Sequence, residues 1–102
     1  MKKYSPSKSV NFKNLDARWL ERTVKGFANH RRIRILQILV IEPELSLSDI
    51  CGRLNMERPT GSEHVRKLTI AGLVIKRKQK NKVHHKITDR GRMVLSFLTV
   101  LK

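Results

Sequence analysis

A mainly helical fold carrying one small β-hairpin, an α+β arrangement of about five helices, is what this 102-residue sequence predicts. Three observations carry that expectation. Apolar residues recur at helical spacing through residues 15–41 and again after residue 88. Residues 59–72, wound as a helix, separate into two faces: Gly61, Val65, Leu68 and Gly72 on one, Ser62, Glu63, Arg66 and Lys67 on the other. Residues 73–88 change to a period of two, with Val83, His85 and Ile87 on one side and His84 and Lys86 on the other. The length suits a single domain with a modest core.

Charge narrows the partner. Lys and Arg number 23 against 8 Asp and Glu, for a net charge of +15 and an isoelectric point near 11.0. That balance favours a polyanion, either nucleic acid or an anionic surface. A membrane surface is the poorer match, because no segment joins a basic face to an exposed aromatic one. No apolar run approaches the roughly 20 residues that cross a bilayer. The basic start, Met1-Lys2-Lys3-Tyr4, is not followed by the apolar stretch of a secretory signal. The single cysteine, Cys51, cannot close an internal disulfide, which fits a reducing cytoplasm.

Residues 1–14 place Lys2, Lys3, Lys8 and Lys13 among Ser, Asn and Pro without periodicity, and read as a mobile basic arm. The remainder, 15–102, reads as the folded domain. Asn14 or Asp16 can cap a first helix over 15–28, lined by Leu15, Trp19, Val24 and Phe27. Trp19 in that stripe reads as a core or dimer-interface anchor. A second helix over 30–41 is apolar nearly all round after a basic start, which predicts a central position, and Pro43 stops it.

Ser46 opens a short third helix, its hydroxyl placed to accept from the Asp49 N–H. Ile50 and Leu54 form its buried pair, with Cys51 packed beside them as a small hydrophobe. A tight turn then leads to the 59–72 helix, a helix-turn-helix arrangement. Pro59 suits its first turn, and Gly72 the left-handed residue that closes it. Gly61 inside the helix predicts close approach of the preceding helix, since it otherwise costs about 1 kcal/mol against Ala. Glu57 and Arg58 are both poor caps, so the helix start is expected to be loosely fixed.

The hairpin segment 76–86 holds six Lys or Arg and no acid. A ribbon of that charge fits a phosphate backbone or a minor groove. Thr88 can cap a last helix, with Asp89 in its first turn. Met93, Val94, Leu95, Phe97, Leu98, Val100 and Leu101 then surround most of that helix. One small domain cannot bury them all against its own core, which predicts a symmetric dimer through this helix and the Trp19 helix. Trp19, Val94, Leu95, Leu98 and Leu101 are the expected interface residues.

Four stretches, in this order, resemble one family. They are Phe27-Ala-Asn-His-Arg-Arg-Ile-Arg-Ile-Leu36, Leu47-Ser-Asp-Ile-Cys-Gly-Arg-Leu54, Ser62-Glu-His-Val-Arg-Lys-Leu-Thr-Ile-Ala-Gly-Leu-Val74 and Ile87-Thr-Asp-Arg-Gly91. Together they resemble the winged helix-turn-helix regulators of the ArsR type and, more loosely, the MarR type, over residues 26–95. The resemblance implies a homodimeric repressor that binds double-stranded DNA. It puts Thr60, Ser62, Glu63, Arg66 and Lys67 where the family's recognition helix meets DNA, and Arg77, Lys78, Lys80 and Lys82 on the wing. His64 matches the family's histidine, at the edge of the buried face, where packing or a phosphate contact outranks base reading. Glu63 is a departure in charge; it can accept from a cytosine amino group or repel phosphates and so sharpen placement.

Metal sensing is where the sequence departs furthest. The arsenic and cadmium sensors carry paired cysteines in the third helix, and Ser46 and Ser48 stand at those places here. Hydroxyls do not hold soft metals as thiolates do. The last helix lacks the His and Asp/Glu pairs of the family's zinc site, and adjacent His84 and His85 point to opposite faces of a strand. No metal or cofactor is expected. No catalytic set or phosphate-binding glycine loop is present either, so an enzyme is not expected. The competing reading is a winged helix that binds DNA or RNA without sequence preference, in chromatin or general transcription. A protein-interaction module fits the charge less well.

Overall fold

The computed structural model describes residues 12–101. Five helices and one antiparallel hairpin follow in order: α1 (Ala17–Phe27), α2 (His30–Ile41), α3 (Leu47–Leu54), α4 (Arg58–Ile70), β1 (Val74–Gln79), β2 (Lys82–Ile87) and α5 (Asp89–Val100). Most of the expected basic arm, residues 1–11, lies outside the described residues; its last part, Phe12–Asn14, is a single 3-10 turn. No helix among the described residues is long and apolar enough to cross a membrane.

Side-chain caps fix four helix starts. Asp16 accepts from the Arg18 and Trp19 N–H groups, both at 3.1 Å. Asn29 does the same for Arg31 and Arg32 at the start of α2. At α3, Ser46 Oγ accepts from the Asp49 N–H at 3.1 Å while Asp49 Oδ2 accepts from the Ser46 N–H at 3.2 Å, a reciprocal pair that satisfies two orphan donors. Thr88 accepts from Gly91 at 3.0 Å and donates to the Gly72 carbonyl at 2.7 Å, so one hydroxyl starts α5 and fastens it to the end of α4. α4 alone of the five has no side-chain cap, and Pro59 stands in its first turn instead.

Helix α4 ends on Gly72 at φ +77°. The Leu73 N–H reaches back to the Leu68 carbonyl and the Gly72 N–H to Thr69, each at 3.0 Å. This is the six-to-one and five-to-two pairing that a left-handed glycine allows. It turns the chain into β1 with Leu68, Leu73 and Val74 all fully buried.

Ile35, Leu36 and Leu39 of α2, Ile50 of α3, Leu68 of α4, and Leu73 and Val74 at the hairpin base form the dry centre. Phe27, Leu45, Val65 and Ile87 complete the cluster. The helix α2 is central, as its composition predicts, but it is not buried on every side: Ile41 is 78 % exposed. Arg34 and Gln37, three residues apart, define a solvated stripe, and Ile41 four residues on falls in it. On the opposite side Arg32 is buried, which hydropathy alone does not anticipate.

The hairpin pairs Val74 with Ile87 at its base and Gln79 with Lys82 at its tip. Its two-residue turn, Lys80-Asn81, has Lys80 at φ +58°, the left-handed conformation such turns demand at the first central position. The hairpin is anchored on its outer edge by a single bridge from the α2–α3 loop. Leu45 and His85 exchange N–H···O bonds at 3.3 and 2.7 Å, and the buried His85 Nδ1 stands 3.1 Å from the same Leu45 carbonyl.

Candidate nucleic-acid interface

The α3–α4 pair is held close by a missing side chain. A Cβ on Gly61 would collide with Cys51 Sγ of α3, so the glycine inside α4 is the residue that allows the approach. Gly61, Val65 and Leu68 face inward; Ser62, Glu63, Arg66 and Lys67 are exposed, with Thr60 partly so. The division into two faces matches the one read from the spacing, except that Gly72 lies past the end of α4, at the turn, and is only partly buried.

Glu63 and Arg66 do not stand free. Arg66 Nε and Nη2 donate to the two Glu63 carboxylate oxygens at 3.0 and 2.8 Å. The Arg66 hydrogen bond is the main reason the Glu63 carboxyl sits below its usual range, and Glu63 in turn raises Arg66. Both side chains are at least half exposed, so the pair contributes little stability. Its consequence is orientation, since a forked bond fixes the guanidinium plane on the outer face of α4.

On the wing, Arg77, Lys78, Lys80 and Lys82 are all exposed. Arg77 pairs with Glu44 of the α2–α3 loop at 3.4 Å. Among the described residues Lys78, Lys80 and Lys82 make no ion pair. Between wing and helices lies an open cleft of about 370 Å3, whose polar lining includes Ser48, Arg58, Ser62, Arg66, Lys76 and His85. Arg58 is thus a cleft residue that reasoning from the sequence missed, and Lys76, counted there only within the basic segment 76–86, lines the cleft with it. Arg58 entered that reasoning only as a poor cap; here its Nη1 donates to Ser48 Oγ at 3.1 Å across the helix-turn-helix. The run of cations in the hairpin was the available signal for Lys76.

His64 is half-buried, and its Nδ1 accepts from Arg32 Nε at 3.2 Å. Burial is the first cause that holds its pKa below the ordinary imidazole value, followed by the charges of Arg32, Arg31 and Lys67, with Glu63 opposing. His84 is half-exposed and His85 buried, on alternate faces of β2. Among the described residues no three His, Cys, Asp or Glu side chains gather as a metal site would require.

The expected interface residues divide. Trp19 and Leu101 are exposed, but Val94, Leu95 and Leu98 pack partly against the domain's own core. The outward apolar face of α5 is instead Met93, Phe97, Val100 and Leu101. The reason is helical phase: 94 and 98 share the inner side with 95, and 93, 97 and 100 the outer. The Arg90 guanidinium covers the Trp19 ring at 5.1 Å, tying α1 to α5.

A helix-turn-helix whose second helix exposes a polar face, followed by a basic hairpin across a cleft, defines the winged helix class. Residues 29–91 match the family model for the winged helix DNA-binding domain, and the chain belongs to that family. Its structural neighbours are transcriptional regulators of the ArsR and MarR families. One is the homodimeric winged helix-turn-helix DNA-binding domain of a possible ArsR-family regulator from Mycobacterium bovis: TM-score 0.77, 23% identity, 94% of this chain and 89% of that one covered. The transcriptional regulator HlyU of Vibrio vulnificus is 27% identical with a TM-score of 0.69, covering 90% and 98%. A MarR-family regulator of Streptomyces coelicolor is 31% identical with a TM-score of 0.66, covering 76% of this chain and 56% of that one. A search of curated proteins by sequence found no match.

Proposed function

We propose that this protein is a sequence-specific, double-stranded-DNA-binding transcriptional regulator that acts in the cytoplasm on the chromosome as a homodimeric repressor. Helix α4 enters the major groove, with Thr60, Ser62, Glu63, Arg66 and Lys67 toward the DNA. Ser62 and Arg66 read base edges and Lys67 meets phosphate. The wing lies on the backbone or in the minor groove through Arg77, Lys78, Lys80 and Lys82. Arg58 and Lys76, which line the cleft with Ser62 and Arg66, add two further cations. The observation that carries this reading is that cleft: Ser62 and Arg66 on the outer face of α4, and Lys76 on the first strand of the wing, border one open hollow, on a chain of net charge +15. Glu63 acts first on Arg66, holding the fork, and a base must compete for that guanidinium. Dimerisation uses the outward side of α5 and Trp19, with Leu101 at the end of that face and Val94, Leu95 and Leu98 supporting from beneath. Two such domains present two α4 helices, for half-sites about 10 bp apart.

A second reading, binding to nucleic acid without sequence preference, is favoured by the same net charge and by the engagement of Arg66. Selection from a random-sequence duplex pool at physiological salt decides between them. The proposal expects a two-fold symmetric motif, and Ser62→Ala and Arg66→Ala should weaken binding to it more than to unrelated duplexes, by roughly ten-fold or more for Arg66. No enriched motif, with equal losses on every duplex, assigns the chain to the second reading.

A further inference from the structure

Among the described residues Arg32 and His85 are the two buried polar side chains, and Arg32 alone of them carries a permanent charge. It stands on α2, 9 % exposed, with three bonds to two other helices. Nη1 donates to the Lys25 and Gly26 carbonyls at the end of α1, at 2.8 and 3.1 Å. Nε donates to His64 Nδ1 on α4 at 3.2 Å.

That last bond decides the chemistry of the imidazole. A guanidinium has donors and no acceptor, and it does not deprotonate. The ring nitrogen that faces it must therefore offer a lone pair. A neutral ring so placed carries its hydrogen on Nε2. A protonated ring would turn an N–H against an N–H, between two cations. Nε2 has no hydrogen-bond partner among the described residues, and it is not sealed from solvent. The charged groups facing His64 are Arg32 and Arg31 from α2, and Lys67 and Glu63 from α4 itself. Glu63 is already bonded to Arg66. What remains is an open N–H donor in a positive surrounding.

We infer that Arg32 is a positioning residue for DNA binding, which holds His64 as the tautomer whose Nε2–H donates to a backbone phosphate. The inference rests on the proposal that α4 meets DNA. It adds that one contact of α4 is a neutral donor, oriented from the second helix, and that Arg31 and Lys67 supply charge at the same phosphate. Such a contact fixes register and carries no sequence information.

The test is a double-mutant cycle on the full chain, with affinity read by fluorescence anisotropy on the selected duplex and on an unrelated one. His64→Ala should weaken both duplexes alike, by roughly three- to ten-fold. His64→Gln should stay within about two-fold of wild type, since its amide offers an acceptor and a donor from one side chain. Arg32→Met should cost about as much as His64→Ala and nothing further when combined with it. A full additive loss in the double variant would mean that Arg32 merely holds the fold, and would overturn the inference. If Arg32→Met does not fold, the Gln rescue and the ring 15N spectrum of the wild type decide. The spectrum should show Nε2–H as the neutral tautomer, shifting toward a mixture wherever Arg32 is removed in a folded variant. An Nδ1–H tautomer overturns the inference. So does wild-type affinity in His64→Ala while Arg66→Ala or the wing variants lose binding, an outcome that leaves the DNA reading standing. If no change on α4 or the wing alters DNA affinity, both fall together.

Discussion

Two histidines tie the fold to pH. Burial lowers the pKa of His85 despite the Leu45 carbonyl, with Lys76 and His84 adding to the effect. His64 is lowered by burial and then by Arg32, Arg31 and Lys67. In the unfolded chain both titrate near about 6.5. A folded pKa below that value means the unfolded state binds more protons, so stability is fully present above about pH 6.5 and is lost as pH falls through the interval below it. Glu42, Asp49 and Glu63 are also lowered, each chiefly by a hydrogen bond, and give the same sign at more acid pH. The urea midpoint should therefore drop steadily from pH 7 to pH 5, and His85→Gln should flatten part of that slope; a midpoint that rises toward pH 5 would contradict the assignment. Single residues were legible where their partner is near in sequence. Ser46 with Asp49, Thr88 with its helix, and Gly72 at the turn all announce themselves within a few positions. The Arg32–His64 bond spans 32 positions. Nothing local marks it, because an arginine in a basic helix start looks like any solvated charge.

At the scale of elements, the wing is the part whose charge exceeds what the fold requires. Its base is covered by Leu45, α4 and α5, whereas Lys78, Lys80 and Lys82 serve no partner among the described residues. Replacing the three by Ala should leave the thermal midpoint nearly unchanged. Affinity should fall for every duplex, and the salt dependence should become shallower by roughly 0.9 in log–log slope for each phosphate contact removed. An unaltered slope would take the wing off the DNA. Helix limits followed from caps and stops, so α2 and α3 were readable almost to the residue. The polar side of α2 was harder to see, because only Arg34 and Gln37 interrupt the apolar residues from Ile33 to Ile41, and Val40 and Ile41 extend the exposed side without polarity. The cleft was invisible in the sequence: Arg58, Ser62 and Lys76 share it only once the hairpin folds back on the helices.

The whole molecule leaves an apolar surface open. Trp19 under Arg90, then Met93, Phe97 and Leu101, continue one face across α1 and α5. Surplus apolar surface was predictable from composition along the last helix, but its direction was not, since seven apolar residues in nine positions have no clear phase. The structure supplies the phase and so separates two variants. Phe97→Glu should give a folded monomer by sedimentation and lose cooperative binding to paired half-sites. Leu98→Glu, placed beneath, should lower the thermal midpoint by several degrees as well, because it buries a charge against the core. If Phe97→Glu sediments as wild type, the outer face is not the contact between copies.

The Leu45–His85 bridge makes one further distinction within the hairpin. The His85 N–H and carbonyl on the outer edge of β2 are bonded to Leu45, so β2 has a partner on each side at that residue, while the residues near Lys80 rest on a single partner strand. Opening the tip therefore does not require opening the base. Hydrogen–deuterium exchange should be graded along the ribbon, fast around Lys78 to Lys82 and slow at His85, and a bound duplex should slow the fast end most. The hairpin then behaves as a spring clamped at one end, whose free end can bend without disturbing the helices that hold it.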